Sequence, residues 1–182
     1  MMKIRVAKFG GTSMGDLTAM SKASELVKND SLVKLVVVSA TSGTTNLLLR
    51  AYQSKISGNS ADLQQALEGV SRRHRLMAEE LGVQGELETL LSEVTSTVEG
   101  IHEESDAKLD ELLAMGERMS SILFAATLRK SGVSAEVIDA RTLLKTDSRF
   151  GKAEPNLSET RLKCESLLLP KIKDGTTIVT QG

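Results

Sequence analysis

Residues 3–16 read KIRVAKFGGTSMGD, a short apolar run that leads directly into two adjacent glycines. Ile4 and Val6 favour a buried β-strand over this run. The pair Gly10 and Gly11 should end the strand, because glycine tolerates a positive φ and lets a ligand approach the backbone closely. The stretch therefore predicts a first strand followed by an open turn.

The residues after the glycines favour a helix start. Thr12, Ser13 and Asp16 are common N-terminal residues of helices, so we expect a helix just beyond the turn. Backbone N–H groups at such a start lie at the positive end of the helix dipole, and Lys8 adds a full positive charge. This arrangement predicts a phosphate-binding turn. The alternative is a plain structural turn, since the stretch matches neither G-x-x-x-x-G-K-[ST] nor G-x-G-x-x-G.

Length and composition exclude several classes of protein. The chain has 182 residues, enough for one domain with a core, and 23 basic residues balance 24 acidic ones. With only 2% aromatic residues and no basic block, nucleic acid is not an expected partner. No apolar run approaches the roughly 20 residues of a membrane span, and no secretion signal is recognised at the N-terminus. We therefore expect a cytoplasmic protein without membrane contact.

The metal-binding side chains are few. One cysteine, Cys164, cannot form an internal disulfide, and only His74 and His102 could add imidazole ligands. The sequence therefore predicts no Cys/His metal centre.

A strand–helix–strand unit follows the opening turn. Helical spacing of apolar residues extends from Leu17 to about Lys28, and residues 35–38 read LVVV, typical of a strand buried on both faces. Residues 39–46, SATSGTTN, then form a polar loop before a helix over 47–55. In parallel sheets, ligands bind outside the carboxyl ends of the strands, where this loop and the glycine turn should both lie. The simpler interpretation is a polar loop with Thr44 or Thr45 as a helix N-cap.

Residues 60–131 read as nearly continuous helix with a break at 82–85. We expect this segment to be an insertion between two strands, packed on itself and on the sheet edge, with a lid and an oligomer contact as open alternatives. His74 falls on its apolar stripe and is interpreted as a packing residue. The neighbouring arginines at 72, 73 and 75 are interpreted as the solvated side. Glu117, after Gly116, is interpreted as lying at a helix start, where the dipole favours a carboxylate.

The remainder alternates strands and helices again. We expect a strand over 135–139, a helical turn over 141–145, and a loop or edge hairpin over 146–155. A helix over 158–169 should be closed by Pro170 and Gly175, before a buried strand at 176–182. Because domains seldom stop on a core strand, this ending predicts that the chain is part of a longer protein.

Four segments together resemble the aspartokinases of the amino-acid kinase family. Residues 8–13, KFGGTS, are similar to the family's opening signature, and residues 39–46 to its S-A-x-x-x-x-T-N pattern. Residues 116–120 resemble its G-E-x-M-S element, with Met115 where a histidine is expected. Residues 149–155, RFGKAEP, are similar to a segment of the lysine-sensitive class, with Lys152 in place of arginine.

The resemblance implies a fold and a domain organisation. It implies a three-layer αβα sandwich with a mainly parallel sheet, the amino-acid kinase fold, in truncated form and with a helical insertion at about 60–131. Residues 1–182 would be the N-terminal portion of the catalytic domain. The nucleotide-binding half and the regulatory domains would lie outside this chain, which alone would be inactive. The full-length enzyme is expected to be a homodimer.

The resemblance also implies an activity, namely phosphoryl transfer from ATP, carrying Mg²⁺, to the side-chain carboxylate of L-aspartate. The product, 4-phospho-L-aspartate, opens lysine, threonine and methionine biosynthesis. The implied ATP phosphate-binding residues are Lys8, also catalytic, with Phe9, Gly10, Gly11 and Ser39. The implied aspartate-binding residues are Thr45 and Glu117, and no protein residue is expected to bind a metal.

Two further functions stay open from the sequence. Another amino-acid kinase, acting on a carboxylate or carbamate, would share the glycine turn but not the Ser39 loop or the 149–155 segment. A non-catalytic α/β module could instead use its helical segment to bind a protein partner. A fusion to homoserine dehydrogenase also stays open.

Overall fold

The computed structural model describes residues 3–182, which form one parallel sheet and eight helices. The strands are β1 (Arg5–Phe9), β2 (Val33–Val38), β3 (Ala135–Val137) and β4 (Thr177–Gln181), in the spatial order β1-β2-β4-β3. The helices are α1 (Leu17–Lys28), α2 (Thr44–Ser57), α3 (Ser60–Leu81), α4 (Gln84–Glu99), α5 (Asp106–Lys130), α6 (Ala140–Leu143), α7 (Leu157–Leu167) and α8 (Leu169–Lys173).

Helices cover both faces of the sheet. On one face a large apolar core joins α1 and the bundle α2–α5 to Val36, Val38 and Val179. On the other face a smaller core joins α6 and α8 to Ile178 of β4. The three-layer αβα arrangement with a parallel sheet is therefore confirmed.

The strand register places three carboxyl ends side by side. Phe9 pairs with Val38, and Val38 pairs with Gln181, so β1, β2 and β4 end at the same level. The loops after these strands consequently meet at one edge of the sheet, where ligands bind in parallel α/β folds.

The prediction of a fully buried first strand is wrong. β1 is an edge strand, and Val6 is 59% exposed. The core beneath α6 and α8 includes Ile4 and Leu35 but does not extend to Val6. For β2 the prediction holds on one face only, because Val36 and Val38 are buried whereas Leu35 and Val37, on the opposite face, are half-buried.

The helical segment after residue 60 differs from expectation in its last member. α3, α4 and α5 pack on one another as predicted, and Gly82, with φ 72°, ends α3 at the expected break. However, α5 lies on the face of the sheet against β2, β3 and β4, not at its edge. Whether residues 60–131 form an insertion stays a prediction.

Two helix boundaries predicted from single residues are wrong. α5 begins at Asp106 behind the N-cap Ser105, so Glu117 lies near the middle of a 25-residue helix. Gly116 does not interrupt the helix. It lies inside α5, where the absence of a side chain allows close packing against α2. Pro170 lies in the first turn of α8 and begins that helix instead of closing α7, a position where its missing N–H costs no hydrogen bond.

Candidate active site

A lysine and a serine from adjacent strand ends meet at the carboxyl edge of the sheet. The Nζ of Lys8 donates a hydrogen bond to the Oγ of Ser39 over 2.9 Å. Ser39 is held by its own N–H, which donates to the carbonyl of Phe9 over 3.1 Å. Gly182, after β4, comes close to the same lysine, since a Cβ there would lie 3.8 Å from Lys8 Cε. The carboxyl ends of three strands thus lie close to the Lys8 side chain.

The glycine turn is open, and of the two properties predicted for its glycines, positive φ and free space at the backbone, the structure shows only the second. Neither Gly10 nor Gly11 has a positive φ. A Cβ at Gly10 would meet nothing within 4 Å, so the space beside it is free for a ligand. Within residues 3–182, the backbone N–H groups of Gly11, Thr12 and Ser13 donate no hydrogen bond. These three groups are available to an anion.

The helix that presents its N-terminus to this region is α2, not α1. The N-terminus of α1 is already capped, because the carboxylate of Asp16 accepts from the N–H of Ala19 over 2.8 Å. The N-cap of α2 is Gly43, with φ 81° and no side chain to cap the helix. The interpretation of Thr44 or Thr45 as the N-cap is therefore wrong. The N–H of Thr44 donates to the carbonyl of Thr41 over 3.0 Å, whereas those of Thr45 and Asn46 have no partner within residues 3–182 and stay open to a negatively charged group.

A polar cleft of about 460 Å³ joins these elements. Its lining includes Ser39, Thr45 and Glu117, together with Gly11, Thr12, Ala40, Thr41, Ser42, Gly43 and Asn46. Lys8 reaches it through its bond to Ser39. The ring of Phe9 instead packs against Phe124, with centroids 5.6 Å apart, so Phe9 offers the cleft only its backbone.

A smaller space of about 280 Å³ adjoins the cleft. It shares Thr45 and Glu117 with the cleft and is also lined by Asp110, Leu113 and Ala114. Asp110 accepts a hydrogen bond from the N–H of Gly151 over 2.8 Å, which brings the 149–155 segment to its rim. A larger groove of about 870 Å³ runs along α3 and contains none of the predicted site residues.

Glu117 has an environment that changes its acidity. Burial raises the pKa of the Glu117 carboxyl, and the positive charge of Lys8 opposes part of that rise. The neighbouring Gly116 lets α5 approach closely, since a Cβ there would lie 3.2 Å from Ala40, Thr44 and Leu48. This close contact places the Glu117 carboxylate at the cleft, although Glu117 does not lie at the start of a helix.

The structure adds two residues that the sequence analysis did not place at the site. Arg73 of α3 donates to the carbonyl of Ser42 over 2.5 Å and also to the carbonyl of Gly15, so its interpretation as solvated is wrong. His74 is entirely buried, as a packing residue would be, but it also makes a 3.2 Å hydrogen bond to Thr41 of the loop. Their helical spacing gave no sign of these contacts, because it does not show that α3 packs beneath the loop.

Within residues 3–182, no group of three or more His, Cys, Asp or Glu side chains is arranged to hold a metal ion. None of the described helices combines the length and apolarity needed to cross a membrane.

Known proteins with similar sequences include aspartokinases. Lysine-sensitive aspartokinase 3 of Escherichia coli (strain K12) is 36% identical over 185 residues, covering 100% of this chain and 41% of the relative. An aspartokinase of Chlamydia muridarum is 31% identical, covering 97% of this chain and 38% of the relative. The chain thus spans about two fifths of the length of these relatives.

Solved structures agree with the sequence comparison. E. coli aspartokinase III in complex with lysine and aspartate superposes with a TM-score of 0.90 at 34% identity, covering 99% of this chain and 41% of that chain. The same enzyme with aspartate and ADP gives a TM-score of 0.89, covering 98% and 40%. Residues 3–182 also match the sequence profile described as the Amino acid kinase family. Because that match extends over the whole described chain, the protein belongs to the amino acid kinase family.

Proposed function

We propose that this chain provides the phosphoryl-transfer site of an aspartate kinase, which moves the γ-phosphoryl group of ATP to the side-chain carboxylate of L-aspartate. The observation that carries the proposal is the convergence of Lys8, Ser39, Thr45 and Glu117 around one polar cleft at the carboxyl edge of the sheet. The similarity to an aspartokinase solved with aspartate and ADP supports the choice of substrates.

The cleft offers two chemically different sets of groups, which suit the two reactants. Lys8, Ser39 and the free N–H groups after Gly10 offer positive charge and donors to the phosphates of ATP. Glu117 offers a carboxylate to the α-ammonium group of aspartate. Thr45 and the uncapped start of α2 offer donors to one of its carboxylates. The substrate would lie between them, with its other carboxylate facing the phosphates.

The reaction needs positioning and charge stabilisation more than proton transfer. The aspartate side chain is already ionised near neutral pH, so its oxygen can attack the γ-phosphorus without a general base. As that bond forms, the bond from the γ-phosphorus to the bridging oxygen breaks and ADP leaves. Lys8 and the turn N–H groups stabilise the charge that accumulates on the phosphoryl oxygens.

Magnesium would enter this site with the nucleotide. The described residues contain no cluster of carboxylates to hold a metal, and Glu117 is committed to the ammonium group in this proposal. Mg²⁺ commonly binds through the phosphates of its nucleotide and keeps several waters, which suits a site of this kind. When bound, it neutralises phosphate charge.

The test is a phosphoryl-transfer assay on the protein that carries this chain, with calorimetric titration of Mg-ATP and then of L-aspartate. We expect transfer to aspartate. Lys8→Ala should lower kcat by orders of magnitude, because the developing charge loses its positive partner. Lys34→Ala is the matched control, since the Nζ of this β2 lysine donates, within residues 3–182, only to the carbonyl of Gly175, which does not line the cleft. Full activity in Lys8→Ala would refute the assignment.

The main alternative is another amino-acid kinase, which would use the same phosphate-binding groups with a different acceptor. A panel of acceptors with a carboxylate or carbamate group separates the two, because only an aspartate kinase should prefer L-aspartate. If no acceptor is phosphorylated and no aspartate binds, the non-catalytic module becomes the better explanation. A cytoplasmic homodimer also belongs to the proposal, and sedimentation of the full-length protein tests the dimer.

A further inference from the structure

Residues 39–45, which connect β2 to the first turn of α2 and are called the substrate loop below, are joined to α3 by a buried chain of hydrogen bonds. His74 is 0% exposed, and its Nδ1 lies 2.8 Å from the carbonyl of Val70. A carbonyl can only accept, so Nδ1 carries the proton and Nε2 presents a lone pair. Burial lowers the pKa of His74, which favours this neutral form.

The lone pair fixes the direction of the remaining bonds. The Oγ1 of Thr41 lies 3.2 Å from Nε2 and must donate to it. The Oγ1 of Thr44, 2.6 Å from that of Thr41, must then donate to Thr41, whose own proton is already used. The chain therefore runs from Thr44 through Thr41 and His74 to Val70, with both hydroxyls buried. Thr44 directly precedes Thr45, the residue proposed to bind aspartate.

The neighbouring residue of α3 connects the same loop to the glycine turn. The guanidinium of Arg73 donates to the carbonyl of Ser42 and to that of Gly15. Those two segments approach closely, since a Cβ at Gly15 would lie 3.9 Å from Ser42 Cβ. One helix therefore sets the position of the substrate loop and its spacing from the turn that would bind phosphate.

We propose that His74 and Arg73 are positioning residues of the active site, which hold residues 41–45 in the geometry that binds the amino-acid substrate. This inference rests on the proposed function. Neither side chain lines the cleft, so neither is expected to touch a substrate. Their loss should act through Thr41, Thr44 and Ser42, and the effect should appear in the binding of aspartate.

Steady-state kinetics of the full-length protein tests the inference. His74→Leu leaves the buried Thr41 hydroxyl without an acceptor, and we expect KM for aspartate to rise about tenfold or more. KM for ATP should change much less. His74→Gln should recover most of the affinity, because its amide oxygen can accept from Thr41. Arg73→Met should also raise KM for aspartate, with Arg73→Lys intermediate.

A control separates positioning from general stability. Met77→Ala removes a buried side chain from the same helix and should lower the melting temperature without the selective rise in KM for aspartate. If Met77→Ala and His74→Leu change the two KM values alike, or if His74→Leu leaves KM for aspartate unchanged, the inference is wrong.

A second readout does not depend on activity. In ¹⁵N-labelled protein, two-bond ¹H–¹⁵N spectra of the imidazole should show His74 with its proton on Nδ1. His74→Leu should shift the amide signals of residues 41–45, and His74→Gln should restore them. A proton on Nε2, or unchanged loop signals in His74→Leu, would overturn the inference. If the unsubstituted protein phosphorylates no aspartate, the proposed function fails, and these spectra still decide whether His74 holds the loop.

Discussion

Glu117 and Lys8 lie near each other at the cleft, and two opposing effects act on the ionisation of the Glu117 carboxyl. A half-buried carboxylate resists ionisation, whereas the ammonium group of Lys8 favours it, and the balance leaves the pKa of Glu117 raised. The proposed partner of Glu117, the α-ammonium of aspartate, requires the ionised carboxylate. The protonation state of Glu117 should therefore control the affinity for aspartate.

The raised pKa of Glu117 predicts how aspartate binding depends on pH. Protonation of Glu117 increases as the pH falls through its raised pKa, so KM for aspartate should rise on the acid side and become constant above it. Glu117→Gln should have a high KM that no longer follows this titration, with kcat less affected. Initial rates measured over a pH series give both profiles. An effect confined to kcat would place Glu117 in the transition state instead.

Ser120 and Ser121 differ in their hydrogen bonds although both are buried in α5. The Oγ of Ser120 is a buried side-chain atom without a partner in the described chain, whereas that of Ser121 donates to carbonyls of Glu117 and Arg118. Ser120→Ala should raise the free energy of unfolding by about 1 kcal/mol, since it removes an unsatisfied polar group and adds helix propensity.

Ser121→Ala is the matched control for Ser120→Ala, because it removes a hydroxyl that already has partners. We expect little gain from it. Urea unfolding of both variants measures the difference, and a loss of stability in Ser120→Ala would mean that its hydroxyl has a partner in solution.

Two helix glycines show how packing decides the effect of the same substitution. A Cβ at Gly69 of α3 would lie 3.2 Å from a terminal methyl of Leu47, which can rotate away. A Cβ at Gly116 would lie 3.2 Å from Ala40 and Thr44, which belong to the substrate loop and cannot yield without moving it. Gly69→Ala should therefore stabilise the protein by up to about 1 kcal/mol.

Gly116→Ala should instead raise KM for aspartate and should not stabilise the protein, because overpacking typically costs about 1–3 kcal/mol. Unfolding curves and aspartate kinetics of the two variants, measured together, test the contrast. If Gly116→Ala were as stabilising as Gly69→Ala and had normal kinetics, the close contact between α5 and the loop would be refuted.

The elements themselves were largely predictable, because their signals are local. α1 follows from its apolar spacing and from Asp16, whose carboxylate caps the helix. The glycines within residues 8–13 likewise predicted the turn that follows β1. The position of Glu117 within α5 was not predictable in this way. Glycine is a usual helix breaker, and only the tertiary contact with α2 explains why Gly116 stands inside a helix.

Contacts between distant segments account for the other misses. The positions of Arg73 and His74 fit the periodicity of any amphipathic helix and so reveal no particular contact. Their hydrogen-bond partners, Ser42 and Thr41, lie some thirty residues earlier in the chain. Similarly, the alternation in β1 does not reveal that β1 stands at the edge of the sheet, since strand order is a property of the folded chain.

The whole molecule has two unequally covered sheet faces. The face packed on α1 and α5 is closed by a large core, whereas the opposite face is covered by α6 and α8 only as far as Ile4, Leu35 and Ile178. Beyond them Val6 is exposed on β1, whose outer edge pairs with no strand of the described chain. An apolar residue on an unpaired edge is a common site of strand-to-strand association.

This asymmetry predicts self-association of the 182-residue chain through β1. Val6→Lys should reduce the concentration dependence of its sedimentation, because a charged side chain on an edge strand opposes pairing. Leu26→Lys is the control, since Leu26 is 66% exposed but belongs to helix α1 and not to an edge strand. Sedimentation velocity over a range of concentrations distinguishes the variants. Equal reduction by both substitutions would indicate nonspecific apolar contact, and no reduction by Val6→Lys would place the association surface elsewhere.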